Sequence, residues 1–92
     1  MYYVYMLLCA DDTIYTGIAT DVARRVEEHR EGKGARYTRA HGVKRLLHTE
    51  RKRNRSSASK REAAIKRLKR EEKLALIKKA QRNKLDAGSK RN

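Results

Sequence analysis

The chain has 92 residues, which suits one domain and is too short for two. It has a single cysteine, Cys9, so no disulfide can form within it. The formal net charge is +14, from 25 Lys and Arg against 11 Asp and Glu, and every basic residue lies from Arg24 onward. Such an excess indicates a polyanionic partner, of which nucleic acid is the commonest.

The first apolar run, residues 2–10, bears on localisation. It is nine residues long, too short to cross a bilayer, and it lacks the basic start of a signal peptide. A lone cysteine fits a reducing compartment. These features predict a cytoplasmic protein that does not bind a membrane, and we expect it to be a monomer.

The N-terminal third is typical of a β-hairpin. Residues 2–9 form a Tyr-rich apolar run that favours a strand buried on both faces. Residues 10–12 contain two Asp, which favour a turn, and residues 13–19 resume with β-forming side chains. The two runs therefore predict paired antiparallel strands.

The middle of the chain predicts a helix, a loop and a strand. Thr20 is a suitable cap for a helix over residues 21–31, and Gly32 is a suitable stop. Residues 32–39 are basic and contain two Gly, which favours a loop. Residues 43–50 predict a third strand around two leucines, although their alternation is poor.

The C-terminal part predicts two helices and a tail. The basic run at residues 51–55 indicates a surface connection, and Ser56 or Ser57 can cap a helix that continues to Arg70. Apolar residues between 74 and 80 indicate a further helix. We expect one domain over residues 1–83 and a disordered basic tail over residues 84–92. The predicted fold class is α+β, a three-stranded antiparallel sheet flanked by helices in the order β-β-α-β-α-α.

Residues that can bind phosphate or transfer a proton, together with their motif neighbours, occur in a definite order along the chain. They are Val4-Tyr5, Tyr15-Thr16-Gly17, Arg25, His29 and Glu62. Together with residues 32–39 and 61–66, this pattern resembles the GIY-YIG nuclease superfamily. It is most similar to the small stand-alone YhbQ-like branch, in which the first motif is commonly Val-Tyr-Ile and the second Tyr-Thr-Gly. The resemblance covers residues 2–80 and implies a metal-dependent endonuclease of the GIY-YIG fold.

The resemblance implies roles for four residues of the first half. Tyr5 or Tyr15 would activate the attacking water, Arg25 would hold the scissile phosphate, and a His often stands where His29 does. Arg25 and His29 are four residues apart and so share a helix face. From spacing alone, both tyrosines could instead be core residues, and the Arg–His pair an incidental pair on a solvated face. Gly17, two residues after Tyr15, permits a close backbone approach or simply ends the strand.

Glu62 falls on the apolar stripe of its predicted helix, where a carboxylate is costly unless it is paired or bound to a metal. A salt bridge to Arg25 or Arg61 is the simple explanation. The resemblance implies instead that Glu62 is the one protein ligand of a divalent metal, Mg²⁺ or Mn²⁺. Mg²⁺ suits such a site because it keeps several waters and needs few carboxylates.

Three residues of the basic segment are further candidates. Arg36, Tyr37 and Arg39 are expected to bind nucleic acid near the site, with Tyr37 able to stack on a base. The partner is expected to be DNA rather than RNA.

Three functions remain open from the sequence. The first is an endonuclease that cuts DNA with little sequence specificity, with DNA repair as a candidate role. The second is a DNA- or RNA-binding module that keeps the fold without turnover, which is favoured by Ile18 standing where a repair nuclease of the superfamily has Lys and by the lack of a separate DNA-binding module. The third is a basic ribosome-associated or nucleoid protein unrelated to nucleases.

Overall fold

A computed structural model describes residues 1–90, with side chains described through Arg82. It contains one antiparallel sheet of three strands. These are β1 (Tyr2–Leu8), β2 (Ile14–Ala19) and β3 (Arg45–Lys52), in the spatial order β2-β1-β3. In the register, Tyr5 lies opposite Gly17 on one side and opposite Thr49 on the other. The α+β fold with a three-stranded antiparallel sheet flanked by helices is confirmed.

The central strand β1 is buried on both faces, as its continuous apolar run predicts. Val4 and Met6 pack on one face against α3 (Arg55–Lys66) and α4 (Arg70–Lys90), and Tyr5 and Leu7 pack on the other against α1 (Val22–Arg30). All four of these β1 residues are at most 1% exposed. The sheet is therefore the middle layer between two groups of helices.

The loop predicted for residues 32–39 is wrong in its second half, because α2 covers Arg36–His41. Six residues are too few to show a clear helical periodicity, and Gly32 and Gly34 suggest irregular structure. The observed order is β-β-α-α-β-α-α. The helix α2 packs beside α1, which brings Thr38 into the interior, where it is 1% exposed.

Several element ends differ from the sequence prediction by a few residues. Asp21 caps α1 in place of Thr20, and its side chain accepts a hydrogen bond from the backbone of Arg24 at 3.1 Å. Gly32 follows that helix with φ of +78°, a left-handed conformation typical of a helix stop. Asn54 caps α3 in place of Ser56 or Ser57. The strand β3 runs to Lys52, so the basic run at residues 51–55 is divided between β3 and α3 rather than forming a separate connection.

At the C-terminus, the backbone of residues 84–90 continues α4, and residues 91–92 lie outside the described residues. The domain boundary at residue 83 and the disordered tail over residues 84–92 stay predictions. Among the helices that the structure describes, none combines the length and the apolar character needed to cross a membrane.

A small ionic cluster joins β3 to α3. The guanidinium of Arg61 donates two hydrogen bonds to the carboxylate of Glu50, at 2.7 and 3.1 Å, and Nε2 of His48 lies 2.8 Å from the same carboxylate. Burial raises the pKa of Glu50, but the bonds from Arg61 and His48 outweigh it and hold that pKa at about 2. This cluster holds α3 against β3 at the position just before Glu62.

Candidate active site

The β-hairpin brings the two motif tyrosines together. Tyr5 faces the layer of α1, and Tyr15, on the neighbouring strand, packs with it on that same face. Their ring centroids are 6.2 Å apart. Tyr5 is 1% exposed and Tyr15 is half-buried, so the pair reaches from the interior to the surface.

His29 completes an aromatic cluster with these tyrosines. It lies on the inner face of α1, is 1% exposed, and places Nε2 2.7 Å from the hydroxyl oxygen of Tyr5. The His29 ring meets the ring of Tyr15 edge-on at a centroid distance of 5.1 Å. A buried histidine with its ring nitrogen on a phenol is positioned to exchange a proton with it.

Thr38, on α2, binds the other ring nitrogen. Its Oγ1 lies 2.6 Å from Nδ1 of His29 and donates to the carbonyl of Ala35 at 3.0 Å. Because the Thr38 proton is used there, we assign the imidazole proton to Nδ1, which donates to Thr38. The Nε2 of His29 is then the acceptor for the O–H of Tyr5. This assignment satisfies the three shortest bonds, and it leaves the backbone N–H of Ala35, 3.3 Å from Nδ1, without an acceptor there because a protonated Nδ1 cannot accept it.

Two glycines allow this close packing. A Cβ added at Gly17 would lie 2.7 Å from the hydroxyl oxygen of Tyr5. One added at Gly34 would collide with the imidazole of His29. Gly17 therefore permits the close approach of the Tyr5 side chain to the backbone of β2. From the sequence alone, a glycine that simply ends the strand was an equal alternative.

Arg25 lies at the edge of this cluster, one helical turn before His29. Its Nη1 donates to Oε1 of Glu28 at 3.1 Å, and 35% of its side chain is exposed. Burial and the neighbouring Tyr15 raise the pKa of Tyr5 to about 12, against the lowering effect of the Arg25 guanidinium. Burial and the same guanidinium lower the pKa of His29. At neutral pH the phenol is therefore protonated and the imidazole neutral.

The guanidinium of Arg25 borders a surface hollow of about 290 Å³ at the end of β2. The hollow is lined by Ile18, Ala19, Thr20, Asp21, Arg24, Arg25 and Glu28. A half-buried guanidinium that borders an open hollow can take two phosphate oxygens through its fork of N–H groups.

Glu62 belongs to α3, on the opposite face of the sheet from α1. Its carboxylate pairs with Lys66, at 3.2 Å, and its side chain is 23% exposed. The expected partners are engaged elsewhere, since Arg25 binds Glu28 and Arg61 binds Glu50. Among the described residues, no hydrogen bond or ion pair joins Glu62 to the Tyr5 cluster. Glu62 is connected to the cluster indirectly, because its partner Lys66 lines the same hollow at the edge of β2 as the cluster residue Tyr15.

The three candidates on α2 differ in position. Tyr37 stacks on His41, with ring centroids 4.1 Å apart, and on Tyr15, at 5.9 Å. It is 38% exposed. Arg36 and Arg39 are exposed on the same short helix, so they extend a basic surface beside the cluster without joining it.

Several residues that the structure brings to the site carry no recognisable signal of that role in the sequence. They are Gly34, Thr38, Lys66 and Lys73. The spacing of Glu62 and Lys66, four residues apart on a helix, is a signal that could have predicted their ion pair. Nothing local marks Thr38 as a partner of His29, because their contact depends on α2.

The family model of the GIY-YIG catalytic domain matches residues 1–75, most of the chain. The chain belongs to the GIY-YIG family. Its similarity extends to the UPF0213 proteins, a small stand-alone GIY-YIG group. A UPF0213 protein of Natronomonas pharaonis is 51% identical over 76 residues, covering 83% of this chain and 89% of the relative. One from Desulfotalea psychrophila is 51% identical over 78 residues, covering 84% and 71%.

Two proteins with solution NMR structures share the fold of this chain. The UPF0213 protein BH0048 of Bacillus halodurans is 43% identical, with a TM-score of 0.55, over 85% of this chain and 84% of the other. The protein EF2693 of E. faecalis is 40% identical, with a TM-score of 0.58, over 87% and 86%. The family membership indicates a nuclease-type domain that acts on nucleic acid.

Proposed function

We propose that this protein is a metal-dependent endonuclease that hydrolyses phosphodiester bonds in DNA with little sequence specificity, in the cytoplasm and with a role in DNA repair. The observation that carries the proposal is the buried hydrogen bond between Tyr5 and His29, with Arg25 at its edge. It places a proton acceptor, a phenol that can pass a proton to it and a phosphate-binding cation side by side.

The chemistry requires one net proton transfer from water. Because Tyr5 is buried, the attacking water gives its proton to the half-buried Tyr15, whose own proton passes to the oxygen of Tyr5 while the proton of Tyr5 passes to Nε2 of His29. The phenol of Tyr5 thus starts and ends protonated, which suits its raised pKa. The imidazole starts neutral, which suits its lowered pKa. Arg25 stabilises the negative charge that grows on the phosphate oxygens as the P–O bond to the leaving oxygen breaks, and the leaving oxygen takes a proton from solvent.

The donor set of this chain fits a metal that is bound mainly by water and substrate. Within the described residues there is no group of three or more His, Cys, Asp or Glu side chains that could hold a metal ion. Glu62 is a single, partly exposed carboxylate. One carboxylate with substrate phosphate and waters is a set that Mg²⁺ accepts and Mn²⁺ can share. Bound there, the ion would supply Lewis-acid stabilisation of the phosphate and the leaving oxygen.

A second candidate is a non-catalytic DNA- or RNA-binding module that retains the nuclease fold. The Glu62–Lys66 ion pair favours it, because a carboxylate already neutralised by lysine is a weaker metal ligand. The +14 charge supports polyanion binding under either function.

The deciding experiment compares wild type with Glu62→Gln and Arg25→Gln on labelled single-stranded, branched and nicked DNA and on matched RNA, with Mg²⁺, Mn²⁺ or EDTA. An endonuclease cleaves only with metal, Glu62→Gln abolishes cleavage while binding persists, and Arg25→Gln lowers turnover by about 10²–10³. Glu27→Gln, on the exposed face of α1, is a matched control that should cleave normally. Tight binding without cleavage of any substrate would support the binding module instead. Cleavage by Glu62→Gln at the wild-type rate would show that Glu62 is not the metal ligand.

A further inference from the structure

A second hollow, of about 330 Å³, lies at the edge of β2 between α2 and the α3–α4 corner. We call it the Tyr37 hollow. It is lined by Ile14, Tyr15, Thr16, Tyr37, Lys66 and Lys73. Tyr15 belongs both to this lining and to the aromatic cluster with Tyr5 and His29. The Tyr37 hollow therefore adjoins the proposed cleavage site.

The hydroxyl of Thr16 is the first sign of a ligand. Thr16 is 3% exposed, and its Oγ1 is the one buried side-chain oxygen or nitrogen within the described residues that has no hydrogen-bond partner. An unpaired buried hydroxyl destabilises the free protein, since it loses its bonds to water on folding. It stands at the position where the second motif of the family name has Ile, so an apolar side chain suits the strand equally well. A bound molecule that accepts or donates a hydrogen bond would supply the missing partner.

Tyr37 gives the hollow an aromatic wall. The ring is held by His41, at 4.1 Å, and by Tyr15, at 5.9 Å, yet 38% of the residue stays exposed. A ring fixed in this way loses little conformational entropy when a flat ligand packs on it. Nucleobases stack on such side chains without regard to base identity.

The lining of the hollow also carries cationic side chains. Lys66 and Lys73 come from successive helices, and Arg70 lies between them, in a smaller adjoining hollow that also contacts Tyr37. Arg70 is fixed by donating a hydrogen bond to the carbonyl of Asp12 at 2.5 Å. Ammonium groups and an aromatic ring in one hollow match the two halves of a nucleotide, because phosphate is anionic and the base is flat and largely apolar.

We propose that the Tyr37 hollow is a subsite for the nucleotide next to the phosphate that is cut, with its base unpaired and packed on Tyr37. Thr16 forms a hydrogen bond with that nucleotide, and Lys66 and Lys73 bind its backbone phosphate. This assignment rests on the proposed function for the position of the cut, but not for the binding itself. It gives a role in substrate binding to the hydroxyl of Thr16 in the second motif, which family membership does not explain.

Thr16→Val is the sharpest variant, because it removes the hydroxyl at almost constant shape. The free variant should be more stable, with a Tm raised by about 4–8 °C, since an unsatisfied buried group is lost. Its affinity for a single-stranded oligothymidylate of about ten units, in EDTA, should fall by about 2- to 12-fold. A hydroxyl with only a structural role would not give these opposite effects. An unchanged affinity, or a lowered Tm, would overturn the assignment for Thr16.

Tyr37→Leu tests the base. It should weaken binding of the oligothymidylate by about fivefold or more and leave binding of an oligomer of abasic sugar-phosphate units unchanged. Tyr37→Phe keeps the stacking ring and should bind both like wild type. If Tyr37→Leu binds oligothymidylate as well as wild type does, or weakens both oligomers equally, no base occupies the hollow.

Lys73→Met tests the phosphate. It should reduce the slope of log affinity against log salt by about 0.7 on single strands, whereas Lys78→Met, about 140° around α4, should leave the slope unchanged. Equal slopes for the two variants would mean a diffuse charge effect and would refute the subsite. All binding is measured without metal and cleavage is assayed separately. Lost cleavage with the base-dependent pattern intact would therefore remove the proposed function alone.

Discussion

The hydroxyl oxygen of Tyr5 lies 2.7 Å from Nε2 of His29, and both residues are 1% exposed. The two side chains come from the central strand and from α1, so the bond joins the sheet to a helix. Because solvent is excluded, a proton that leaves the phenol has His29 as its nearest acceptor. The bond is thus both a packing feature and a path for the proton.

Tyr5→Phe should keep the ring and remove that path. We expect turnover to fall by about 10²–10⁴, the range of general-base contributions. Nucleic-acid binding should change little, because the residue is buried. Cleavage rates and melting temperatures of the variant are compared with those of Tyr3→Phe, a control on the same strand. A Tyr5→Phe variant with wild-type turnover would show that the phenol is not in the path.

The pH dependence of cleavage follows from the two pKa shifts. Active protein needs neutral His29 and protonated Tyr5. The pKa of His29 is lowered from 6.5, so the rate should rise as pH increases through a value below 6.5. It should then stay flat until the Tyr5 pKa, about 12, is approached. In His29→Gln the acidic limb should disappear from the residual rate, and a limb that persists there would belong to another group.

Thr38→Val should affect catalysis without touching substrate. Without the acceptor on Thr38, the imidazole proton is no longer held on Nδ1, and Nε2 is no longer reserved for Tyr5. We expect turnover to fall by about 10–100-fold, as for other positioning residues, with an altered acidic limb and an unchanged Kd. Thr38→Ser keeps the hydroxyl and should restore most of the rate. Equal rates for the Ser and Val variants would contradict this role.

The salt dependence of duplex DNA binding should reflect the +14 charge. If about six phosphates are contacted, log affinity should fall with log salt at a slope near −5. Titrations at several salt concentrations measure it directly. A slope near zero would rule out phosphate contacts as the source of affinity.

Glu50→Gln should destabilise the fold by about 2 kcal/mol at neutral pH, because the bonds from Arg61 to a charged acceptor are lost. The pKa of Glu50 is lowered to about 2, below its ordinary value of 4.5. A lowered carboxyl pKa gives stability that is present above 4.5 and lost as pH falls toward 2. The wild-type advantage in the free energy of unfolding should shrink over that window, and an advantage constant with pH would contradict the coupling.

The sheet and the hairpin could be predicted from the sequence because long apolar runs and an Asp-rich turn specify them locally. The helix α2 could not, since its six residues carry two Arg and follow a Gly-containing segment, and it is stabilised by packing on α1. The ends of α3 were also missed, because Asn54, Ser56 and Ser57 are all competent caps and only the structure distinguishes them.

The candidate site was predicted in part. The periodicity of a strand or a helix predicts which side chains share a face. It does so for Tyr5 and Tyr15 in the hairpin and for His29 in α1. Glu62 is different, because its distance from that cluster depends on how α3 packs across the sheet. Its carboxylate pairs with Lys66, one helical turn away, rather than with Arg25 or Arg61, which the sequence offers as equally plausible partners.

The tyrosine cluster has a practical consequence, because the chain has no Trp and only five Tyr. All intrinsic ultraviolet fluorescence therefore comes from tyrosine, and three of the five emitters, Tyr5, Tyr15 and Tyr37, lie in the cluster and the adjoining hollow. Stacked bases quench such emission. The unlabelled protein therefore carries its own optical probe where nucleic acid is expected to bind, and each Tyr→Phe variant removes one identifiable part of that signal.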